Sequence, residues 1–400
     1  MMRKFKNIFR YNGKITFNLL EVILLVVSFS FFSSELTTYI NKKNASSNNS
    51  FSDVETTYNK IINDYYQDVN QSELADAAVD GMMNYLDEKY STYLDSSSTK
   101  NLSDKLDGTY KGIGITIIKN DKNEIVVKNV FVNSPALDAG MKEGDIIKKV
   151  NDLEVNDDTK TEDISSIIQG NSTVTIIVVR DGNEITLNIN IEDVSVPVVS
   201  TKMFSDNDST YGYIYLNSFS STSYDQFKSG LENLESNNIN GLIIDLRGNS
   251  GGYLDSCTNI LNLFMKKGKV LYSLDSKSGN QVVYDTTSDE RHYNIAVLID
   301  SNSASASEIL ASSLKESYGA ILVGTTSYGK GKVQQTSNLS DSTMIKYTSA
   351  TWYTPLGNSI DGVGLVPGFY VKLSSKYAAS PSDDTDDQLK KAIEVLDSNY

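Results

Sequence analysis

The sequence predicts a chain of mixed α/β and α+β class. The core is a mixed β-sheet with flanking helices and a second, β-rich domain embedded in it. A helical segment and one membrane-spanning helix precede the core. Three observations carry this. Residues 296–335 run strand, sharp turn, helix, strand and Gly-rich loop; residues 109–195 are short β-prone runs divided by turn residues; and residues 3–32 place basic side chains ahead of an apolar run.

In chain order, residues 1–40 read as a basic tail and membrane segment. Arg3, Lys4, Lys6, Arg10 and Lys14 precede the apolar stretch 19–32, which Glu21, Ser28 and Ser30 interrupt. Positive residues before a span keep the N-terminus in the cytoplasm and send the rest across. No A-x-A-like site follows residues 22–32, and residues 15–32 could reach across a bilayer, so a retained single-pass anchor is expected, with a cleaved signal and secretion as the alternative. Residues 41–52 are an Asn/Ser-rich linker. Residues 53–108 read as helices: Val54, Tyr58, Ile61, Ile62, Tyr65 and Tyr66 make one apolar stripe, and Leu74, Ala77, Ala78, Met82, Met83 and Leu86 a second.

Residues 109–195 carry Gly112-Ile113-Gly114-Ile115, then β-prone runs at 125–132, 173–180 and 184–191, with a helical spacing at 161–169 and the hairpin turn Asp181-Gly182-Asn183. The stretch Gly144-Asp145-Ile146-Ile147-Lys148-Lys149-Val150-Asn151 resembles the G-D-x-I signature of PDZ domains. That resemblance implies peptide capture: the N–H groups of Gly112, Ile113, Gly114 and Ile115 receive a terminal carboxylate, and the ligand adds as a strand beside residues 115–118. Beyond it, residues 196–373 resume the core with a strand at 211–216 and an amphipathic helix at 223–235. Residues 374–400 read as an acidic tether followed by a helix at 389–396.

Composition narrows the chemistry. A formal net charge of −15 on 400 residues argues against a nucleic-acid partner. Cys257 is the sole cysteine, so no intrachain disulfide is available, and there is no Cys/His cluster for a metal.

Three chemistries could use residues 296–335. The loop Gly324-Thr325-Thr326-Ser327-Tyr328-Gly329-Lys330 approaches a phosphate-binding loop, but Gly331 stands where Ser or Thr should hold Mg²⁺, and a strand rather than a helix follows. A Ser-His-acid triad would need His292, the only histidine, which lies in the polar run 289–293. The third chemistry is a serine activated by a neutral lysine. Lysine acts as a base only without its proton, so its pKa must fall from about 10.4, and burial lowers lysines by up to about 3–5 units.

Ser303-Ala304-Ser305-Ala306-Ser307-Glu308-Ile309 followed by Ser327-x-Gly329-Lys330-Gly331-x-Val333-Gln334 resembles the C-terminal processing (tail-specific) peptidases, serine–lysine proteases with an embedded PDZ domain. The resemblance implies Ser305 as nucleophile, Lys330 as general base and Gln334 as the group that orients the lysine. It also implies an oxyanion hole from Gly251 or Gly252 with the amide of Ala306, since residues 241–252 resemble the family's strand plus D-L-R-x-N-x-G-G, with Ser250 where proline is usual. Asp245 and Arg247 in that stretch read as a structural ion pair bracing the turn. Two further departures stand out. Glu88-Lys89-Tyr90-Ser91 replaces a histidine-containing sequence after the family's LD, and Gly368 replaces an aspartate after Pro367.

The function so implied is an extracytoplasmic, membrane-tethered serine endopeptidase acting near the free C-termini of proteins or peptides, with no metal, nucleotide or other cofactor. The competing class is a PDZ peptide-binding scaffold without catalysis. A homodimer is among the assemblies the sequence leaves open.

Overall fold

The computed structural model describes residues 51–398 apart from 207, 208, 289 and 341. The expected membrane segment, at residues 15–32, lies outside the described residues; among these no helix is long and apolar enough to cross a membrane. The chain divides into two compact units, Met1–Tyr85 and Leu86–Tyr400.

In the first unit, the described part is two helices, Ser52–Asp64 and Gln71–Asn84. Asn70 starts the second, its side chain accepting from the N–H groups of Ser72 and Glu73 as N-cap asparagines do. Of the methionine pair, Met83 is buried and Met82 is exposed.

The second unit is built on a six-stranded mixed sheet. Its order is Val199–Asp206, Ser209–Leu216, Gly241–Asp245, Asn294–Ile299, Ile321–Gly324 and Phe369–Tyr370, with the first pair antiparallel and the rest parallel. Gly241–Asp245 is buried along its whole length, as a strand covered on both faces must be, and its unbroken apolar run follows from that. Alternate residues divide between two cores. Leu242, Ile244, Val297 and Ile299 pack with Phe227 and Leu231 of helix Ser223–Ser236 and Leu310 of helix Ala306–Ser313. Ile243 and Leu298 pack with Leu389, Ala392 and Leu396 of helix Asp387–Asp397. Helices therefore cover both faces of the sheet.

A five-stranded antiparallel sheet stands beside this core. It contains Val270–Ser276, Gly279–Tyr284, Lys332–Asn338 and Met344–Tyr353, with Thr92–Leu94 added at the edge of the last. The embedded domain forms its own antiparallel sheet, in the order Ile115–Lys119, Ile125–Val130, Ile146–Val150, Thr173–Arg180 and Asn183–Asn190, with helix Thr161–Gln169 as expected. The hairpin at 181–182 uses positive φ at both Asp181 (52°) and Gly182 (79°), the geometry of a type I′ turn. The chain enters this domain through Thr109–Gly112 and leaves through Glu192–Ser195, and those two strands pair with each other.

Two expectations need correction. Residues 53–108 are not helical throughout, because Thr92–Leu94 is a strand of the five-stranded sheet. Nor is the stretch before the last helix a free tether. It holds helix Ser375–Ala379, Asp383 pairs with Lys202 at 2.7 Å, and the buried Asp386 caps helix Asp387–Asp397 and pairs with Arg247 at 2.8 Å. Two of its carboxylates, Asp383 and Asp386, are thus held by cations far away in sequence.

Candidate active site

Three loops meet at the carboxyl ends of adjacent parallel strands, where open α/β sheets place their ligands: 246–253 after Gly241–Asp245, 300–305 after Asn294–Ile299, and 325–331 after Ile321–Gly324. Asp300 stitches the first two together, its Oδ1 accepting from the N–H groups of Gly248, Asn302 and Ser303. Ser303 Oγ donates to Leu246 O, and Ser307 Oγ to Asn249 O. So braced, Ser305 adopts φ 56° and ψ −116° immediately before helix Ala306–Ser313. A non-glycine residue at such an angle costs about 1–3 kcal/mol and persists only where its surroundings enforce it.

The third loop is fastened by Glu308, which is fully buried. Its Oε2 accepts from Ser305 N–H at 2.9 Å and Lys330 N–H at 2.8 Å; its Oε1 accepts from Ser327 Oγ at 2.5 Å and Gly329 N–H at 2.7 Å. One carboxylate thus sets the serine turn and the lysine loop against each other. In the sequence Glu308 stands out only as an acid three residues into a helix start.

Ser305 and Lys330 line one cleft of about 710 Å³, together with Gly251, Gly252, Ala306, Gln334 and Lys346. Burial, and next the charge of Lys346, pull the Lys330 amine down to about 8, against an opposing pull from the Glu88 and Glu308 carboxylates. Among the described residues no hydrogen bond joins Ser305 Oγ to Lys330 Nζ; the amine lies over the ring of Tyr90, 5.0 Å from its centre. Gln334 shares the cleft but donates to Thr348 Oγ1 at 3.3 Å, which in turn donates to Glu88. It makes no hydrogen bond to Lys330 among the described residues, so the expected orienting contact is not present in this conformation. His292 lies on an exposed segment away from this cleft.

The two oxyanion alternatives separate. Gly251 N–H already donates to Asn249 Oδ1 at 2.9 Å. Phe219 bridges Gly252 in parallel fashion through its neighbours, Phe219 N–H to Gly251 O and Tyr253 N–H to Phe219 O. This bridge does not engage the Gly252 amide, and Gly252 lines the cleft together with Ala306.

Behind the first loop, Arg247 holds Asp245 at 2.6 Å and Asp386 at 2.8 Å, as the structural reading of Asp245 and Arg247 expects, and adds Gln388 at 3.0 Å. Burial works against the guanidinium charge, but the two carboxylates more than offset it and raise the arginine further above its ordinary value. Arg247→Met leaves both carboxylates buried without a cation; a loss of about 3–5 kcal/mol is expected in urea unfolding.

In the embedded domain, Ile115–Lys119 is an edge strand, open on one side for an added peptide. The Tyr110 ring packs edge-on to Phe131 and lies against Gly112, where a Cβ would stand 2.4 Å from it. Its hydroxyl faces the N–H groups of Gly114 and Ile115. Tyr110 therefore occupies the ground in front of the expected carboxylate loop.

Peptide-bond hydrolysis by a serine is the chemistry this architecture supports, and comparison with known proteins places the chain in that class. Residues 210–371 match peptidase family S41, residues 112–191 match the PDZ domain, and residues 27–98 match the N-terminal domain of the activating protease CtpB. The carboxy-terminal processing protease CtpB of Bacillus subtilis is 34% identical over 86% of this chain and 71% of its own length. CtpA of the same organism is 32% identical over 94% of this chain and 81% of its own. A solved structure assigned to the S41 proteases, from Bacteroides fragilis, shares the fold at 18% identity, with a TM-score of 0.52 over 84% of this chain and 92% of its own. The chain belongs to peptidase family S41, as a PDZ-containing, serine-type C-terminal processing endopeptidase.

Proposed function

We propose that the chain is a membrane-tethered extracytoplasmic endopeptidase whose PDZ domain captures a free carboxyl end, while Ser305, served by Lys330, cuts the adjoining peptide. The observation that carries the dyad is a lysine lowered to about 8 in the same cleft as a backbone-strained serine. At pH 7 about one Lys330 in ten is then without its proton, against fewer than about one in a thousand for an ordinary lysine.

In this reading Ser305 Oγ bonds to the scissile carbonyl carbon as its proton passes to Lys330 Nζ. The carbonyl oxygen takes up the negative charge between the N–H groups of Gly252 and Ala306, donors of a kind whose loss costs about 3–4 kcal/mol of transition-state stabilisation. Lys330 then gives the proton to the leaving amine. Water attacks the acyl-enzyme, its proton going to Lys330 and on to the departing serine oxygen. Substrate binding draws the amine from Tyr90 toward Ser305, since catalytic contacts are often long before substrate arrives and tighten in the complex. Gln334 is the group placed to steady the amine once it has moved. For the PDZ domain, a ligand carboxylate takes the place of the Tyr110 hydroxyl at Gly114 and Ile115. The tether is supported by the five basic residues ahead of residues 15–32.

A peptide with a free carboxyl end, its C-terminal amide, and the wild-type and Ser305→Ala proteins make the test. Ser305→Ala is expected to lose at least about a thousandfold in turnover while still binding the free-acid peptide more tightly than the amide. Undiminished turnover by Ser305→Ala would remove the nucleophile assignment. Equal binding of acid and amide would remove carboxyl capture.

A further inference from the structure

Tyr90 has two lysines on its ring. Lys330 Nζ lies 5.0 Å from the ring centre and Lys89 Nζ 4.6 Å, and Lys89 Nζ also stands 5.4 Å from the ring of Tyr328, on the lysine loop itself. The residue is held from behind. Tyr90 N–H donates to Glu88 Oε1 at 3.2 Å, Ser91 Oγ donates to Glu88 Oε2 at 2.7 Å, and Thr348 N–H donates to Ser91 Oγ at 3.0 Å. Segment 88–91 is thereby pinned to strand Met344–Tyr353, which also carries Lys346. It is the same segment whose sequence departs from the histidine-containing pattern of the family.

We propose that Tyr90 is a positioning residue for Lys330, its ring face holding the amine within the cleft of the free enzyme and supporting its charged form there before substrate draws it toward Ser305. This rests on the reading of Lys330 as the base. The physical reason lies in what the lysine must do twice per cycle, which is to gain a proton and give it up. A carboxylate in direct contact would hold the proton firmly. An aromatic face attracts the cation through its quadrupole and with less force, so the charged form is supported without being locked in. Among the described residues no carboxylate pairs directly with Lys330 Nζ. The charged groups that face it are Lys346 from strand Met344–Tyr353, Glu88 and Lys89 from the segment before Thr92–Leu94, and Glu308 from helix Ala306–Ser313; Tyr90 and Tyr328 are the titratable rings beside it.

The test is the pH dependence of kcat/KM, measured on the full chain with a free-carboxyl peptide, because the acid limb reports the base in the free enzyme. Tyr90→Leu keeps an apolar cover but removes the quadrupole, so the ammonium loses a partner. The limb is expected to move down by about half a pH unit, raising kcat/KM about threefold at pH values below it. Tyr90→Phe, which keeps the ring face, is expected to leave the limb in place. Should the leucine variant fold poorly, pentafluorophenylalanine at position 90 has nearly the same shape with the quadrupole reversed, and is expected to move the limb down as leucine does. A limb unmoved by both ring changes, or moved equally by Tyr90→Phe, overturns the inference. Lys330→Ala keeps the two failures apart: its inactivity with an unmoved limb defeats only the role of Tyr90, whereas its full activity defeats the base reading beneath it.

Discussion

Glu308→Gln is expected to lower kcat about a hundredfold and to cost about 2–4 kcal/mol of stability, although the change replaces one oxygen by one nitrogen. The carboxylate accepts four hydrogen bonds, two at each oxygen. An amide of the same shape accepts at one end only and presents N–H groups to two donors at the other. Each buried donor left without an acceptor costs about 1–3 kcal/mol. The loss in turnover comes by a separate route. The four donors belong to the serine turn and the lysine loop, so their repulsion separates Ser305 from Lys330, and a displacement of about 1 Å at reacting groups can cost a hundredfold. KM is expected to change little, since Glu308 lies beneath the cleft and not in it. Thermal melting together with steady-state kinetics checks both halves; wild-type values for the two would show that the carboxylate is not the fastening described.

With Lys330 as the proposed general base, Lys330→Met is expected to abolish turnover and make the protein more stable at pH 7. A positioned general base contributes typically about 10²–10⁴ in rate, and methionine has no proton acceptor. The gain in stability follows from the sign of the shift. The folded lysine is lowered from 10.5 to about 8, so between those values the unfolded chain binds more protons, and wild-type stability rises as pH rises through that window. Below pH 8 the folded protein carries the full penalty of a poorly hydrated ammonium. Methionine removes it, for a gain of about 1–2 kcal/mol once partial solvent access is allowed for. Urea unfolding at pH 7 and pH 9.5 tests this: the difference between the two proteins should shrink at the higher pH. A wild-type kcat/KM profile with no acid limb near 8 would contradict the same assignment from the kinetic side.

What the sequence made legible was whatever depends on neighbours along the chain. The strand Asn294–Ile299 was recognisable from its apolar run at 296–299, Gly241–Asp245 from its likeness to the family's strand, and the hairpin at 181–182 from its Asp-Gly pair. Ser305 and Lys330, which share one cleft in the structure, were singled out because each sits in a short motif. Glu308 was not, because its spacing from Ser305 already has a local explanation as a helix start, while its other partners are 19, 21 and 22 residues away. Residues 374–386 looked like a tether for a related reason. Their acidity reads as solvation until Arg247, 139 residues from Asp386, is folded against them. Tyr90 fell in a segment that local pattern could assign only to packing, and its contact with Lys330 exists only once Thr92–Leu94 and Lys332–Asn338 have both paired with Met344–Tyr353. Gln334 marks the opposite case, a motif residue whose position was readable but whose partner in this conformation, Thr348, was not.

The pairing of Thr109–Gly112 with Glu192–Ser195 has an evolutionary consequence. Because the chain departs from and returns to the core at adjoining points, the intervening domain is a side branch: its two ends could be joined by a short turn with no break in the parallel sheet. On the proposed reading, substitutions that change which tails are captured fall on that branch, whose only chain connections to the core are these two paired strands. Recognition and cutting are free to diversify at separate rates within a single polypeptide.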